Sequence, residues 1–302
     1  MTSWRVKTRK KFNRLSLAWF MKGMLFVSRL LPYSLGVRLG GLLGYLAYSI
    51  LPRDRERAIS HLASVFGNQE RAWIRRTARR SFAHLGKAML ETMLLKPGRL
   101  SRIVKFNGYE NLRRAVEAGR GVVVVTGHIG NWEFLAAAVA AHYPVSVVAA
   151  PIEPEPVNDM IVQLRASKNV TTILRDRPGA SRELIRVFRE NRILGILIDQ
   201  DTDVDGAFVD FMGRPAWTPT AAASMAIKFN APVMFGSIRR GMDNRHTIIM
   251  EGPLELIRTG DDGKDIIANT ALFTKKIETC ILQNPEQWVW MHRRWRRQPC
   301  AS

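Results

Sequence analysis

The spacing of apolar residues changes character about a third of the way along the chain. From residue 101 onward, short unbroken apolar runs alternate with stretches where apolar residues recur every three or four positions. The runs predict strands near 103–107, 121–126, 144–149, 171–174, 193–198, 232–238 and 245–250. The periodic stretches predict helices near 110–118, 131–141, 156–168, 179–191, 218–230 and 265–283. A strand that is apolar throughout is buried on both faces, as in parallel sheets. The expectation is an α/β fold with a mostly parallel central sheet covered by helices on both faces.

Residues 54–96 read as helical throughout. Ile74, Ala78, Phe82, Leu85, Met89 and Met93 mark one face, Asn68 is placed to cap it, and Pro97-Gly98 ends it. Arg71, Arg75, Arg76, Arg79 and Arg80 crowd the remaining surface, either as a solvated face or as one lying beside anionic lipid. Ahead of this segment lie two apolar stretches, Leu15 to Leu31 and Ser34 to Leu51, separated by Pro32 and preceded by Arg5, Lys7, Arg9, Lys10, Lys11 and Arg14. Charges at Lys22, Arg29 and Arg38 leave neither with the roughly 20 predominantly apolar residues of a clean spanning helix. A tilted span, an interfacial helix, a shallow hairpin and two buried helices of a soluble domain all fit such stretches. No small-residue cleavage site follows, so a removed signal peptide is not expected. The organisation expected is a membrane-associating segment over 1–53 and an α/β domain over 54–302, with 54–98 helical and 101–302 the core.

The chain has 302 residues, 46% apolar and 24% charged, which excludes a disordered protein. Its 46 Lys and Arg against 26 Asp and Glu give a net charge of +20. Such a field favours phosphate-bearing partners, anionic membranes or acidic proteins. Nucleic acid is the default partner for so basic a chain, but the motifs below displace it. Cys280 and Cys300 lack metal-ligand spacing and are too few for a disulfide framework, so no metal site is expected and a reduced, cytoplasm-facing domain fits.

The chemistry concentrates after the four valines Val122 to Val125. There Gly127-His128-Ile129-Gly130-Asn131-Trp132-Glu133 leaves the strand and enters a helix that starts at Asn131 or Trp132. Active sites of open α/β sheets form at such strand exits. His128 suits a general base and Glu133 an acid that orients its ring. The free N–H groups of the helix's first turn suit an oxyanion or phosphate, and Asn131 is a substrate-binding candidate there. H-x4-E also occurs by chance, so its companions matter. These are Asp199-Gln200-Asp201 after the strand Ile196-Leu197-Ile198, then Phe211-Met212-Gly213-Arg214-Pro215-Ala216-Trp217-Thr218-Pro219-Thr220, and the ending Gln287-Trp288-Val289-Trp290-Met291-His292-Arg293-Arg294-Trp295.

In this order, and over nearly the whole chain, these segments resemble the bacterial lipid A late acyltransferases, the lauroyl and myristoyl transferases within the wider glycerolipid acyltransferase superfamily. The resemblance implies transfer of an acyl chain from a thioester, on acyl carrier protein or coenzyme A, to a hydroxyl of a lipid A precursor. It implies catalysis by His128 and Glu133 with no metal, no cofactor and no covalent intermediate. It also implies a place at the inner membrane with the catalytic domain facing the cytoplasm. Arg165 and Asp201, with Asp199 as a rival, match residues that border the site in relatives. Arg175 and Arg177 fall where glycerolipid acyltransferases bind phosphate. Each of these arginines also reads as a surface charge, and each aspartate as a cap after its strand. Another acceptor, a glycerophosphate or a mannolipid, would need the same chemistry. No role follows for His292, Arg293 or Arg294, while Trp288, Trp290 and Trp295 read as core or as a membrane edge. His61, His84, His142 and His246 read as structural or exposed.

Overall fold

A computed structural model describes residues 31–96 and 98–299, together with Gly23. The basic cluster and, apart from Gly23 and Leu31, the first apolar stretch lie outside the described residues, as does Pro97. The described strands are β1 (Val104–Asn107), β2 (Val122–Thr126), β3 (Val145–Ala149), β4 (Val170–Leu174), β5 (Ile193–Leu197), β6 (Gly206–Phe211), β7 (Arg214–Pro219), β8 (Val233–Arg240) and β9 (His246–Glu251). Seven form one sheet in the order β1-β9-β8-β2-β5-β3-β4. The run from β8 to β4 is parallel, while β9 is antiparallel to β8 and carries β1 parallel to itself. The sheet is thus mostly parallel, as the apolar runs predict.

The helices are α1 (Tyr33–Ile50), α2 (Pro52–Val65), α3 (Arg71–Leu94), α4 (Leu100–Ile103), α5 (Tyr109–Glu117), α6 (Trp132–Ala140), α7 (Glu155–Ala166), α8 (Ala180–Arg189), α9 (Ala221–Phe229) and α10 (Asp262–Gln283), followed by a 3-10 turn at Pro285–Gln287. All of β2 is buried. Val123 and Val125 pack with residues of α9 and α10, whereas Val122 and Val124 pack with residues of α5 and α6. Helices therefore cover both faces, which is why β2 carries valine on both.

Three sequence expectations change. Residues 54–96 are not helical throughout, being broken between Val65 and Arg71, and Asn68 does not cap the helix that follows: α3 starts at Arg71, with Glu70 at its N-cap and no side-chain cap bond. Met89 is exposed, and Leu90 and Leu94 are buried in its place. The helix expected at 218–230 starts at Ala221, because 214–219 pair with 206–211 as an unexpected hairpin. Met212 and Gly213 both take positive φ, as its tight turn demands.

Among the described residues no single helix is long and apolar enough to cross a membrane. Of the membrane segment expected over 1–53, residues 1–22 and 24–30 lie outside the described residues, and 31–53 form no single spanning helix. Helix α1 instead lies against α3, across the boundary at residue 53. Gly40, Gly44 and Gly86 make that approach backbone to backbone: a Cβ on Gly44 would sit 2.2 Å from the Phe82 carbonyl oxygen. Its outer face stays apolar and exposed, with Leu35, Leu42, Leu46 and Ile50 each about half accessible or more.

A buried polar cluster ties these helices to the sheet. The Glu91 carboxylate of α3 accepts a bidentate pair of bonds from Arg240 of β8, and further bonds from the Tyr33 hydroxyl (2.8 Å) and the Asn131 amide (3.2 Å). Burial opposes the charge of Glu91, but bonds from His246 and Arg240 and the positive charge of Arg240 outweigh it, lowering its pKa from 4.5 to about 2. A carboxylate with a lowered folded-state pKa stabilises the fold fully above its unfolded value and loses that effect as pH falls through the folded one. Glu91→Ala leaves Arg240 buried without its partner and is expected to cost about 3–5 kcal/mol in urea unfolding at neutral pH. The difference from wild type should shrink as pH falls from 4.5 toward 2. A difference that stays constant over that interval would show that the pair contributes no charge-dependent stability.

Candidate active site

Strand register brings the central residues together. Thr126 of β2 pairs with Leu197 of β5, so the residues two steps past each exit, His128 and Asp199, come to lie side by side. The Asp199 side chain is fully buried. It accepts three bonds: from the His128 ring Nδ1 at 2.7 Å, the His128 backbone N–H at 2.6 Å and the Trp288 indole N–H at 2.8 Å. Burial disfavours its charge, but the adjacent imidazole and these bonds hold its carboxyl well below the usual carboxylate range. With Nδ1–H donated to a carboxylate, Nε2 carries the free lone pair, the tautomer a general base needs.

The loop is shaped to allow this. A Cβ on Gly127 would sit 2.9 Å from Asp199 Oδ2, so only glycine lets the carboxylate reach the His128 amide. Gly130 takes φ +64 and donates its N–H to the Gln287 carbonyl, while Ile129 forms a bridge with Trp288. The buried chain ending thus clamps the loop from behind. Trp288 and Trp290 are core residues, and Arg294 is buried with its guanidinium on Thr218 Oγ1 and the face of Phe211.

Nε2 of His128 faces the Gln200 amide at 3.2 Å, and Gln200 also reaches His292 Nε2 at 3.0 Å. The His292 ring stands edge-on to His128, centroids 4.8 Å apart. Burial first, and the His128 ring second, push the His292 pKa down to about 3, so it stays neutral. The Trp132 ring also packs edge-on against His128, centroids 4.9 Å apart. His128, Trp132 and Gln200 open onto a cavity of about 560 Å³ whose wall is mostly aliphatic, from β2, β3, β5 and α6.

Glu133 lies in the first turn of α6 and lines the cavity, but its partner is not the imidazole. Arg165 of α7 holds it bidentately, Nε to Oε2 at 3.0 Å and the terminal nitrogen to Oε1 at 2.7 Å. The expectation that Glu133 orients His128 is corrected: Asp199, from the neighbouring strand, holds Nδ1. Nearby, burial pushes the Lys168 amine down to about 8, with Glu133 opposing the shift. Arg175 reaches the cavity as well. Three other candidates are not brought to it. Asn131 is buried as the N-cap of α6, accepting from the Phe134 N–H and donating to Glu91. Asp201 is buried beneath the tail, where it accepts the Arg297 backbone N–H at 2.7 Å. Arg177 is half exposed beside Glu155. Conversely, Gln200 and His292, for which no role followed from the sequence, face the imidazole. Gln200 follows Asp199 directly at a strand exit, and that adjacency was the one available signal.

A histidine whose ring is held by a buried carboxylate, beside a mostly aliphatic cavity, defines an α/β protein with a site suited to acid–base chemistry next to a hydrocarbon chain. The sequence model described as bacterial lipid A biosynthesis acyltransferase matches residues 5–297, and the chain belongs to that family of acyltransferases. It is 26% identical over 291 residues to the lipid A biosynthesis lauroyltransferase of Escherichia coli (strain K12), covering 94% of this chain and 92% of the relative. It is 24% identical over 292 residues to the lipid A biosynthesis palmitoleoyltransferase of the same organism, covering 95% and 93%. A phosphatidylinositol mannoside acyltransferase of Mycolicibacterium smegmatis is 27% identical over 156 residues, about half of each chain.

Proposed function

We propose that this protein moves a fatty acyl chain from a thioester on acyl carrier protein to a hydroxyl of a phosphorylated lipid A precursor, a late step of lipopolysaccharide assembly. The observation that carries the reading is His128 at the aliphatic cavity, its Nδ1 held by Asp199 and its Nε2 turned to the Gln200 amide. The acceptor hydroxyl displaces the Gln200 amide from Nε2 and gives its proton to the ring. Its oxygen attacks the thioester carbonyl, the tetrahedral intermediate collapses, the carbon–sulfur bond breaks, and the leaving thiolate takes the proton back from His128. Asp199 stabilises the imidazolium formed on the way. The chain needs no metal, cofactor or covalent enzyme intermediate for this sequence. Arg175 at the cavity suits a substrate phosphate, and the Glu133–Arg165 pair braces the wall between α6 and α7.

The enzyme works on the inner membrane with this site facing the cytoplasm. The exposed apolar face of α1 and the exposed arginines Arg75, Arg76, Arg79 and Arg80 of α3 support docking on an anionic bilayer. A second reading, favoured by the match to the mannoside acyltransferase, keeps the chemistry and makes the acceptor a mannolipid hydroxyl. Mass spectrometry of lipid A from cells lacking the protein separates the two. Loss of one acyl chain is expected; an unchanged lipid A profile would overturn the first reading.

A further inference from the structure

We propose that Gly195, in the middle of β5, sets how long an acyl chain this enzyme accepts. The inference rests on the acyl-transfer reading above. One arm of the cavity runs along the α6 face of β2, β5 and β3, while Ile196, Leu184 and Met225 line it from the other face of the sheet. Gly195 pairs with Val124 on one side and Val147 on the other, and all three line the cavity. Ile193 and Val145 line it deeper, toward the strand starts, while His128 stands beyond the opposite end. Ile193 pairs with Val122 and Leu197 with Thr126. The wall between floor and mouth is thus four residues long, roughly 13 Å at strand rise, with Gly195 halfway.

Strand alternation decides which way residue 195 faces. Ile193 packs into the cluster that holds Val124, Val145 and Val147, whereas Leu194 and Ile196 pack into the opposite one. Position 195 shares the face of Ile193, the one that lines the arm of the cavity under α6. A Cβ built there meets Val147 Cγ1 at 3.3 Å and then nothing nearer than the Ser146 carbonyl oxygen at 3.8 Å. A side chain would therefore occupy the cavity rather than collide with backbone. Glycine weakens a strand interior and forgoes packing, and in strands it marks places where a ligand approaches closely. Here its missing side chain joins the mouth of the cavity to the floor. A methyl group at 195 narrows that passage beside Val147.

The test uses the purified full-length protein, a lipid A precursor, and decanoyl, dodecanoyl, tetradecanoyl and hexadecanoyl thioesters of acyl carrier protein. In Gly195→Ala the longest chain used well by wild type should lose about tenfold or more in kcat/KM relative to the next shorter one, the cost of one excess methylene in a closed pocket. Gly195→Val should move the optimum further in the same direction. Val147→Ala, which widens the same waist, should move it toward longer chains, and it carries the test if the Gly195 variants do not fold. Equal losses for every chain length would mean that Gly195 only relieves crowding against Val147, and the inference fails while the acyl-transfer reading stands. An unshifted profile in Val147→Ala overturns it equally. If wild type transfers no chain to the precursor, both fall together.

Discussion

Replacing His128 with alanine is expected to remove acyl transfer, lowering kcat/KM by at least about 10²–10⁴-fold, the usual contribution of a positioned general base. The fold should survive. The His128 side chain is partly accessible, at 18%. Its loss leaves Asp199 with two bonds, from the Trp288 indole and the backbone N–H of residue 128. Thermal unfolding and far-ultraviolet circular dichroism of the variant should therefore stay close to wild type while transfer disappears. Near-normal transfer by well-folded His128→Ala protein would sink the mechanism: His292 is neutral but reaches Gln200 rather than open space, and the Glu133 carboxylate is held by Arg165.

Asp199→Asn should be nearly as damaging, by a different route. Asp199 accepts three bonds through two oxygens, and an amide can offer only one oxygen and a donor. If that donor turns to Nδ1, the ring proton moves to Nε2 and the base is lost. In serine proteases the equivalent change costs on the order of 10⁴ in kcat. Stability should also fall, by about 1–3 kcal/mol for the buried donor left unpaired. Glu133→Gln separates this role from that of the other carboxylate. It weakens the bidentate contact with Arg165 but leaves the ring's partner in place. Nitrogen NMR of the His128 ring should report the Nδ1–H tautomer in wild type and in Glu133→Gln, and its loss in Asp199→Asn. The reverse pattern would return the orienting role to Glu133.

The contrast between these two acids measures what can be read from local sequence. His128 and Glu133 are five positions apart, on one loop and one helical turn, and their spacing invited the pairing. Asp199 is 71 residues from His128, and what joins them is the register between β2 and β5. The runs Val122 to Val125 and Ile196 to Ile198 show that both are buried strands, but not that they are neighbours or that Thr126 lies opposite Leu197. Asn131 fails as a substrate ligand for a related reason. Its place at a helix start was legible, but the buried Glu91 that takes up its amide lies 40 residues earlier on another helix.

Apart from the hairpin at 206–219, the order of strands and helices from residue 101 follows from the chain alone, as do the placing of an imidazole at the exit of a buried strand and the apolar and basic character of the N-terminal helices. Each depends on the spacing of residues within a dozen positions, where backbone geometry dictates which side chains share a face. The partner of the imidazole, the clamp of Trp288 and Gln287 behind its loop, the hairpin at 206–219 and the depth of the cavity beside Gly195 were decided only by packing. They depend on which distant segments meet and in what register, and many chain foldings satisfy the same local pattern until one close-packed core excludes the rest.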